Sequence, residues 1–421
     1  MIKVFKFGGA SVKSAEAVVN VANILDKYSG NKIMVVISAM AKTTNALERL
    51  LNAYINDSFD KFSIFEDIKE FHFTILKDLL DETNKAAFTD LTQNFDALEL
   101  KIKGVPTNNN ASEYAQIVSY GEIFSTLIIY HYLKSVGFSC AWKNAGDFII
   151  TENKPQEASV DWTNSPAEIK NNLLPVFEEF DIVISQGFIA RSKENNITTL
   201  GREGSDYSAA IFAFGLDAED LTIWKDVPGL LNADPKYFEN TEKLDSISYR
   251  ETIELAYYGA SIIHPKTIQP LQNKKIPLYI KSFINPDAKG TAIQSNTYSQ
   301  LQTPSYIFKK EQVLISISAR DFSFIAEQHL SSIFNKLSDY GLHVNMMQNS
   351  AISFSLCMDN KGEAMLGFIK DLQQDFKVRY NEQMELITIQ HYNQDVINDL
   401  IANRKVYLEQ KNRTTVQLLV R

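Results

Sequence analysis

Alternating strand and helix patterns over about the first 290 residues constrain the fold of this chain most strongly. The apolar run 2–7 ends at Gly8-Gly9, a helix is predicted over about 14–28, and a second apolar run follows at 32–37. A strand, a helix and a second strand in this order are typical of a βαβ unit. Because the alternation continues to about residue 290, the sequence predicts an α/β domain with a mainly parallel sheet over residues 1–290.

Other patterns interrupt or follow this alternation. Residues from about 46 to 110 carry apolar side chains at helical spacing, which predicts a helical insertion, and one long helix is predicted from Ser112 to about Ser135. The segment 291–306 is rich in turn-forming and polar residues and predicts a linker. Residues 307–384 then show the βαββαβ order of a ferredoxin-like sandwich. A shorter copy over 385–421 is either incomplete or completed by structure from elsewhere.

Composition narrows the class of protein. The chain has 421 residues and a formal net charge of −9, which argues against general nucleic-acid binding. It lacks an apolar run of roughly 18 residues, so we expect no membrane span. Cys140 and Cys357 are far apart and have no metal-ligand spacing around them, so we expect neither a disulfide nor a metal held by the protein alone. A cytoplasmic location is therefore expected.

The segment Gly201-Arg-Glu-Gly-Ser-Asp-Tyr207 is the most informative short stretch of the chain. It follows the apolar run 181–189 and precedes a predicted helix over 208–216, so we expect a turn from a strand into a helix. Backbone N–H groups at a helix start bind anions. Arg202 can grip a carboxylate or phosphate with two hydrogen bonds, and Asp206 can orient a cation. A capped surface turn would give the same pattern.

Two other segments place charged groups beside glycine. Lys6 lies near the end of the first predicted strand, just before Gly8 and Gly9, at the sheet edge where α/β proteins bind ligands. Glycine lets the backbone approach phosphate oxygens, and Lys6 can supply positive charge to a moving phosphoryl group. Gly121 interrupts a predicted helix, where the neighbouring Glu122 can meet an ammonium group. A glycine needed for helix packing, with a solvated Glu122, is equally consistent.

A nucleotide would have to bind without the common sequence signatures. The chain has no Gly-x-x-x-x-Gly-Lys-Ser/Thr phosphate loop, no Gly-x-Gly-x-x-Gly motif and no protein-kinase His-Arg-Asp set. The segment Trp224–Lys236 instead offers a long loop with Pro-Gly and Asp-Pro turns after a predicted strand. Loops at that edge of a sheet commonly hold the base and ribose of a nucleotide.

Taken in order, these segments resemble those of the aspartate kinases, and the resemblance covers nearly the whole chain. The shared segments are Lys6–Ser11, Ser119–Glu122, Leu200–Tyr207, Lys225–Lys236 and Tyr258–Thr267. The resemblance implies a three-layer amino acid kinase fold followed by regulatory ACT modules. It also implies that the chain transfers the γ-phosphoryl group of ATP, with Mg²⁺, to the side-chain carboxylate of L-aspartate. The product, 4-phospho-L-aspartate, begins the synthesis of lysine, threonine and methionine.

The resemblance assigns roles to individual residues. Lys6 matches the lysine that offsets charge on the moving phosphoryl group, and Asp206 matches the aspartate that organises the transfer site. Arg202 matches the residue that clamps the substrate α-carboxylate, and Glu122 the one that faces its ammonium group. The full set implied for the substrate is Thr44, Glu122, Arg202 and Ser205. The set implied for the nucleotide is Lys6, Gly8, Gly9, Lys225, Asp226 and Lys236.

The resemblance also implies an effector site in the C-terminal part, with lysine as the first expectation and threonine as the second. Its contacts would come from the loop 319–325 and from residues 347–350, across an interface between two chains. The implied residues are Asp321, Phe324, Met347, Gln348, Asn349 and Ser350. The alternative is an ACT-like fold that serves only dimerisation.

Four positions depart from the family pattern. Glu203 stands where glycine is usual, Lys225 replaces a common threonine, Leu231 replaces a common tyrosine, and Ser261 replaces a lysine of some members. Glu203 adds an anion to the turn that carries Arg202. These departures bear on ATP binding.

The expected partners are ATP with Mg²⁺, L-aspartate, a lysine or threonine effector and a second copy of the chain in a homodimer, without nucleic acid or membrane. Two other functions remain open. One is another kinase of the same fold, acting on acetylglutamate, glutamate or a nucleoside monophosphate, which segments 119–122 and 201–207 disfavour. The other is a non-catalytic amino-acid sensor, which the presence of Lys6 and Asp206 disfavours.

Overall fold

The computed structural model describes residues 1–238, 240–260, 263–295, 303–321 and 323–421. Contacts between residues divide the chain into two compact units. The first unit contains residues 1–230, 243–253 and 262–298, and the second contains residues 231–242, 254–261 and 299–421. Two short segments from the middle of the chain therefore group with the C-terminal residues.

The first unit is an α/β structure. Its strands are β1 (Ile2–Phe7), β2 (Lys32–Ile37), β3 (Cys140–Lys143), β4 (Ile150–Thr151), β5 (Ile182–Gln186), β6 (Ile189–Ser192), β7 (Ile197–Thr199), β8 (Asp220–Lys225), β9 (Ser246–Ser248), β10 (Leu278–Ser282) and β11 (Thr291–Gln294). Its helices are α1 (Ala15–Asp26), α2 (Thr43–Ile55), α3 (Asp60–Leu79), α4 (Lys85–Lys103), α5 (Asn110–Val118), α6 (Tyr120–Ser135), α7 (Asn164–Glu168), α8 (Val176–Glu179), α9 (Gly204–Gly215), α10 (Tyr249–Tyr258), which continues into the second unit, and α11 (Pro265–Lys274).

The main sheet of this unit is mostly parallel. Among the described residues its order is β3-β5-β2-β1-β8-β10-β11-β9, and only β10 and β11 are antiparallel neighbours. Strands β4, β6 and β7 form a separate small sheet. The predicted α/β fold with a mainly parallel sheet is therefore confirmed.

Helices cover both faces of the main sheet. Phe5 and Phe7 of β1 belong to a buried cluster that also contains Phe95 of α4 and Phe124 of α6. Because successive side chains of a strand point to opposite faces, Lys6 faces the other layer, where α9 packs against β1, β2 and β8. Helix, sheet and helix thus form the three layers.

The single long helix predicted over 112–135 is wrong. Helix α5 ends at Val118 and α6 begins at Tyr120, with Ser119 between them. The Ser119 hydroxyl donates a hydrogen bond to the Ala115 carbonyl at 2.6 Å, a local side-chain bond of the kind that bends or ends a helix. Gly121 therefore lies in the first turn of α6. A β-carbon there would be 2.9 Å from the Ala39 β-carbon, so glycine allows this turn to lie against the loop after β2.

Helix α9 begins four residues earlier than the predicted start at 208, and this moves Asp206 into its first turn. The preceding residue, Glu203, has left-handed backbone angles (φ 54°, ψ 26°), which end the turn and start the helix. An acidic residue in a first turn is favoured by the helix dipole. The apolar run 181–189 is split between β5 and β6, and the short strand β7 is the one that leads into the turn.

The second unit contains an antiparallel sheet. Its elements are β12 (Ser305–Ser318), α12 (Glu327–Asp339), β13 (Val344–Asn349), β14 (Ser353–Asp359), α13 (Glu363–Asp375), β15 (Lys377–Gln390), α14 (Gln394–Ile401), β16 (Val406–Lys411) and β17 (Thr415–Val420). Among the described residues the sheet order is β13-β14-β12-β15-β17-β16, with every neighbouring pair antiparallel. The expected ferredoxin-like class of the C-terminal part is confirmed.

Strands β12 and β15 each serve two modules. The part of β12 from Gln312 to Ser318 pairs with the start of β15, and the part from Ser305 to Lys309 pairs with the end of β15. The short C-terminal copy is thus completed by residues 305–309, the first part of the strand that also begins the first module. Of the linker predicted over 291–306, residues 296–302 lie outside the described residues, while 291–294 form β11 and β12 starts at 305.

The two faces of the antiparallel sheet differ. Helices α12, α13 and α14 pack on one face over two apolar clusters. The opposite face carries a smaller apolar cluster that includes Leu314, Met346, Cys357 and Leu386. Within the described residues, no helix of either unit is long and apolar enough to span a membrane.

Candidate functional site

A cavity of about 530 Å³ lies at the edge of the main sheet where β1, β2 and β5 end and α9 begins. Seven residues that the sequence assigned to the site line it, namely Lys6, Gly9, Thr44, Glu122, Arg202, Ser205 and Asp206. They come from segments that are far apart in the chain. The fold therefore gathers all six predicted catalytic and substrate residues into one cleft, which we call the main cleft.

Lys6 and Asp206 form a buried ion pair in this cleft. The Lys6 Nζ atom lies 2.6 Å from Asp206 Oδ1, and the two residues are only 8% and 4% exposed. Burial acts to raise the pKa of Asp206, but the charges of Lys6 and Lys225 outweigh it and hold the pKa below its ordinary value. Asp206 therefore stays ionised at neutral pH and fixes the Lys6 ammonium group at the end of β1.

Glu122 is a second buried carboxyl group. Its Oε1 accepts a hydrogen bond from the Ala39 backbone N–H at 3.2 Å, while its Oε2 has no hydrogen-bond partner among the described residues. Burial raises the pKa of Glu122 to about 8, although the Ala39 N–H and the charge of Lys6 act in the opposite direction. A buried, unpartnered carboxyl oxygen is costly, and a cationic ligand would relieve that cost.

The turn before α9 presents Arg202. This residue is exposed, and within the described part of the chain no carboxylate oxygen lies within 4.0 Å of its guanidinium group. Glu203 behaves differently, because its Oε2 accepts a hydrogen bond from the His264 backbone N–H at 2.8 Å. The turn is thus anchored through Glu203 while Arg202 is available to a ligand.

Sequence reasoning missed other lining residues. Tyr114 donates a hydrogen bond to Glu48 Oε1 at 3.1 Å, and burial, together with the Glu48 charge, raises the pKa of Tyr114 to about 12. Glu157 and Phe188 also line the cleft. None of these residues lies in a recognisable local motif, so only the packing of α2, α5, the segment after β4 and the residues before β6 could identify them.

The predicted nucleotide residues are distributed more widely. A β-carbon on Gly8 would lie 3.4 Å from Lys6 Nζ, so Gly8 adjoins the cleft, and Lys225 Nζ lies 3.9 Å from Asp206 Oδ2. Asp226 is exposed and follows β8. Lys236 is exposed and belongs to the second unit, and Ser261 lies outside the described residues. The nucleotide roles of these residues stay predictions.

The predicted effector segments meet within the second unit. The Ile325 backbone N–H donates to the Ala351 carbonyl at 3.1 Å, which joins the loop 319–325 to the turn after β13. The predicted effector residues are exposed, with Phe324 at 72% and Met347 at 52%, and the rest of that set is Asp321, Gln348, Asn349 and Ser350. Their proximity fits one shared surface, while effector binding itself stays a prediction.

Comparisons with known proteins agree on a family. The model of the Amino acid kinase family matches residues 1–282. A bifunctional aspartokinase/homoserine dehydrogenase of Arabidopsis thaliana is 30% identical over 85% of this chain and 40% of its own length. The lysine-sensitive aspartokinase 3 of Escherichia coli K12 is 29% identical over 87% of this chain and 80% of its own. The chain thus spans less than half of the plant relative.

Solved structures support the fold. Two structures of E. coli aspartokinase III, one with lysine and aspartate and one with aspartate and ADP, align with TM-scores of 0.84 and 0.82. Each is 24% identical, and the alignments cover 100% of this chain and 96% of theirs. Since the family match extends from β1 through β10 and includes every predicted residue that lines the main cleft, the chain belongs to the amino acid kinase family.

Proposed function

We propose that this chain is an aspartate kinase, which transfers the γ-phosphoryl group of ATP to the side-chain carboxylate of L-aspartate. The observation that carries the proposal is the composition of the main cleft. One cavity of about 530 Å³ holds a buried lysine–aspartate pair, the Glu122 carboxyl group and the Arg202 guanidinium group. Among the described residues, Glu122 Oε2 has no hydrogen-bond partner and Arg202 has no carboxylate partner. The α-ammonium group of an amino acid complements the Glu122 carboxylate, and its α-carboxylate complements the Arg202 guanidinium group. The second carboxylate of aspartate then remains available as the phosphoryl acceptor.

In this proposal the substrate is oriented by its two α-substituents. Arg202 takes the α-carboxylate through paired hydrogen bonds, and Glu122 Oε2 takes the α-ammonium group. Thr44 and Ser205 add hydroxyl groups to the lining. The side-chain carboxylate then extends toward Lys6, where transfer takes place.

The transfer step needs charge neutralisation more than a general base. The attacking carboxylate is already ionised at neutral pH. Its oxygen forms a bond to the γ-phosphorus as the bond from that phosphorus to the bridging oxygen breaks, which yields 4-phospho-L-aspartate and ADP. Two unit negative charges about 4 Å apart repel by about 4 kcal/mol at an effective dielectric constant of 20. Lys6, held by Asp206, offsets part of this repulsion.

The nucleotide would arrive with a divalent cation, for which we propose Mg²⁺, bound to its phosphate oxygens. Gly8 lies beside Lys6, Gly9 lines the main cleft and Lys225 lies 3.9 Å from Asp206, so we propose that these residues contact those phosphates, with Asp226 at the start of the following loop. We further propose that the reaction serves lysine, threonine and methionine synthesis. Inhibition by lysine or threonine at residues 319–325 and 347–350 of a homodimer completes the proposal. The E. coli structure with lysine and aspartate supports this choice of ligands.

A coupled ADP-release assay tests the proposal, with hydroxylamine present to trap the acyl phosphate. L-Aspartate should support turnover, whereas L-glutamate, N-acetyl-L-glutamate and UMP should not. Turnover with one of the latter and none with L-aspartate would identify another kinase of the same fold. Absence of turnover with all four, together with calorimetric binding of lysine, would favour an amino-acid sensor. Repeating the assay with lysine and with threonine tests the regulatory part.

A further inference from the structure

We infer that the second unit contains a separate binding site for a small organic carboxylate with an apolar remainder. The site is a cavity of about 340 Å³ on the face of the antiparallel sheet opposite its helices. Its floor includes Leu386 of β15 and Gln417 of β17, and Tyr257 and Tyr258 contribute from the segment 254–260, which groups with this unit. We call it the sheet cavity.

The charged residues that line the sheet cavity indicate the sign of the charge on its ligand. The chain carries 51 acidic and 42 basic residues, yet the eight residues around the sheet cavity include no aspartate or glutamate. They include Lys309 and His343. Glu254, three residues before Tyr257, accepts a hydrogen bond from Gln390 at 3.1 Å, and its charge adds to the effect of burial in raising the pKa of Tyr258. Because the eight lining residues include a lysine and no carboxylate, the cavity favours an anionic ligand over a cationic one.

Lys309 is the group that would bind this anion. Its Nζ donates a hydrogen bond to Asn345 Oδ1 at 2.8 Å, and among the described residues no carboxylate oxygen lies within 4.0 Å of it. Asp359 Oδ1 accepts hydrogen bonds from Gln312 at 2.8 Å and from Asn345 at 2.9 Å. Burial acts to raise the pKa of Asp359, but these hydrogen bonds and the charges of Lys309 and Lys361 hold it below its ordinary value, so Asp359 and Lys309 interact beyond ion-pair distance. An ammonium group has three donors, so Lys309 retains hydrogen-bonding capacity for a ligand.

The backbone beside Lys309 accommodates this side chain. Gly259 has φ +112°, and a β-carbon there would lie 2.4 Å from Lys309 Cε. The backbone conformation favours glycine, and the absence of a β-carbon lets the end of the lysine chain lie in this position. This arrangement holds Lys309 beside the end of α10, next to Tyr258.

The volume and the apolar lining of the sheet cavity define the part of the ligand other than its carboxylate. About 340 Å³ lies at the lower end of the range for small-molecule sites. Leu386, Val344 and the rings of Tyr257 and Tyr258 supply apolar surface. The site thus suits a monocarboxylate with a branched or aromatic chain. It is distinct from the predicted effector surface at 319–325 and 347–350.

Calorimetric titration of the full chain with isocaproate and with hydrocinnamate tests this inference. Both carboxylates should bind, their uncharged amides should not, and inorganic phosphate should bind more weakly because it has no apolar part. Failure of both carboxylates to bind, or equal binding of the amides, would overturn the site. Phosphate binding as tight as that of the carboxylates would overturn the assigned ligand class.

Single substitutions in and beside the sheet cavity test whether the carboxylates bind there. Lys309→Met should weaken carboxylate binding about tenfold or more, the expected loss of a hydrogen bond to a charged group. The matched control is Lys310→Met, because Lys310 is the next residue, is exposed and lies 4.6 Å from the Tyr237 ring outside the cavity. Tyr257→Glu keeps Lys309 and adds an anion at a residue that is 70% exposed, so it should also weaken binding. Unchanged affinity in both Lys309→Met and Tyr257→Glu would refute the inference.

Discussion

The lysine of the main cleft and the lysine of the sheet cavity have different direct partners. Lys6 lies 2.6 Å from the carboxylate of Asp206, and the cleft lining also includes Glu48, Glu122 and Glu157. Lys309 instead donates to the neutral amide of Asn345, in a cavity whose eight described lining residues include no aspartate or glutamate. Each cavity places a lysine beside a glycine. Lys6 has a carboxylate within ion-pair distance before a ligand arrives, whereas Lys309 has none among the described residues and interacts with the Asp359 charge only at longer range.

This difference suits Lys6 to a role in phosphoryl transfer and Lys309 to the binding of an anion. A buried ion pair loses much of its hydration, but it fixes the position of the lysine at the moment when charge develops on a substrate. A lysine whose direct hydrogen-bond partner is a neutral amide retains free donors, so an anion can bind it directly. The four predictions below test this contrast, beginning with the largest expected effect.

Lys6→Met would remove the charge that is already in place. We expect kcat for the proposed kinase reaction to fall about 100-fold to 1,000-fold, with a smaller change in nucleotide affinity, because Lys6 acts mainly on charge that develops during transfer. Steady-state kinetics and nucleotide titration measure the two effects. Lys3→Met is the matched control, because Lys3 lies on the same strand but pairs with Glu219 at 3.3 Å and with Asp220. Full turnover by Lys6→Met would remove Lys6 from the mechanism.

Arg202→Ala tests an exposed cation of the main cleft. Since Arg202 has no internal carboxylate partner among the described residues, it resembles Lys309 more than Lys6. We expect KM for aspartate to rise roughly 10-fold to 100-fold with a smaller change in kcat, from the loss of hydrogen bonds to a carboxylate. Arg191→Ala is the control, because Arg191 pairs with Asp147 at 3.4 Å outside the cleft. An unchanged KM would exclude Arg202 from substrate recognition.

The pH dependence of substrate binding tests the Glu122 carboxyl group. Burial raises the pKa of Glu122 to about 8, so below that pH the empty protein holds a proton there, while an ammonium ligand requires the ionised form. KM for aspartate should therefore fall as pH rises from 6 to 8, by up to about tenfold per pH unit. Proton release on binding at pH 7 can be measured by calorimetry in two buffers. Glu122→Gln should abolish this release, and a flat profile in the unmodified protein would contradict the prediction.

Glu203 tests whether an extra anion in the cleft weakens binding. Glu203→Gln keeps an acceptor for the His264 N–H and removes the charge, so we expect KM for aspartate to fall a few-fold. Glu203→Gly also removes the anchor, although it relieves the cost of the left-handed backbone at φ 54°. The glycine variant should therefore show no such fall. A rise in KM for Glu203→Gln would show that the charge itself assists binding.

Local sequence patterns predicted much of the fold. Apolar runs with turn residues between them identified β1, β2 and the alternation that leads to a parallel sheet, and the βαββαβ order identified the first C-terminal module. The break at Ser119 was missed, because the residues on both sides of it favour a helix and the break depends on one side-chain bond and on packing against Ala39. The completion of the second module by residues 305–309 was left open, since a strand pairing over this distance leaves no local signal.

The local chemistry could be read from the amino-acid sequence: a lysine before two glycines, and an arginine and an aspartate near the start of one helix. Three features depend on how distant segments pack: Lys6 meets Asp206, Glu122 is buried with one oxygen unpartnered among the described residues, and Glu48 and Tyr114 share the same cleft. Such packing also gathers Lys309, Gly259 and Asn345 around a second cavity. The spacing of apolar residues along a helix or strand indicates only on which face of that helix or strand a residue lies. Burial and charge pairing depend on which distant segments pack together, and these two quantities set the chemistry of both cavities.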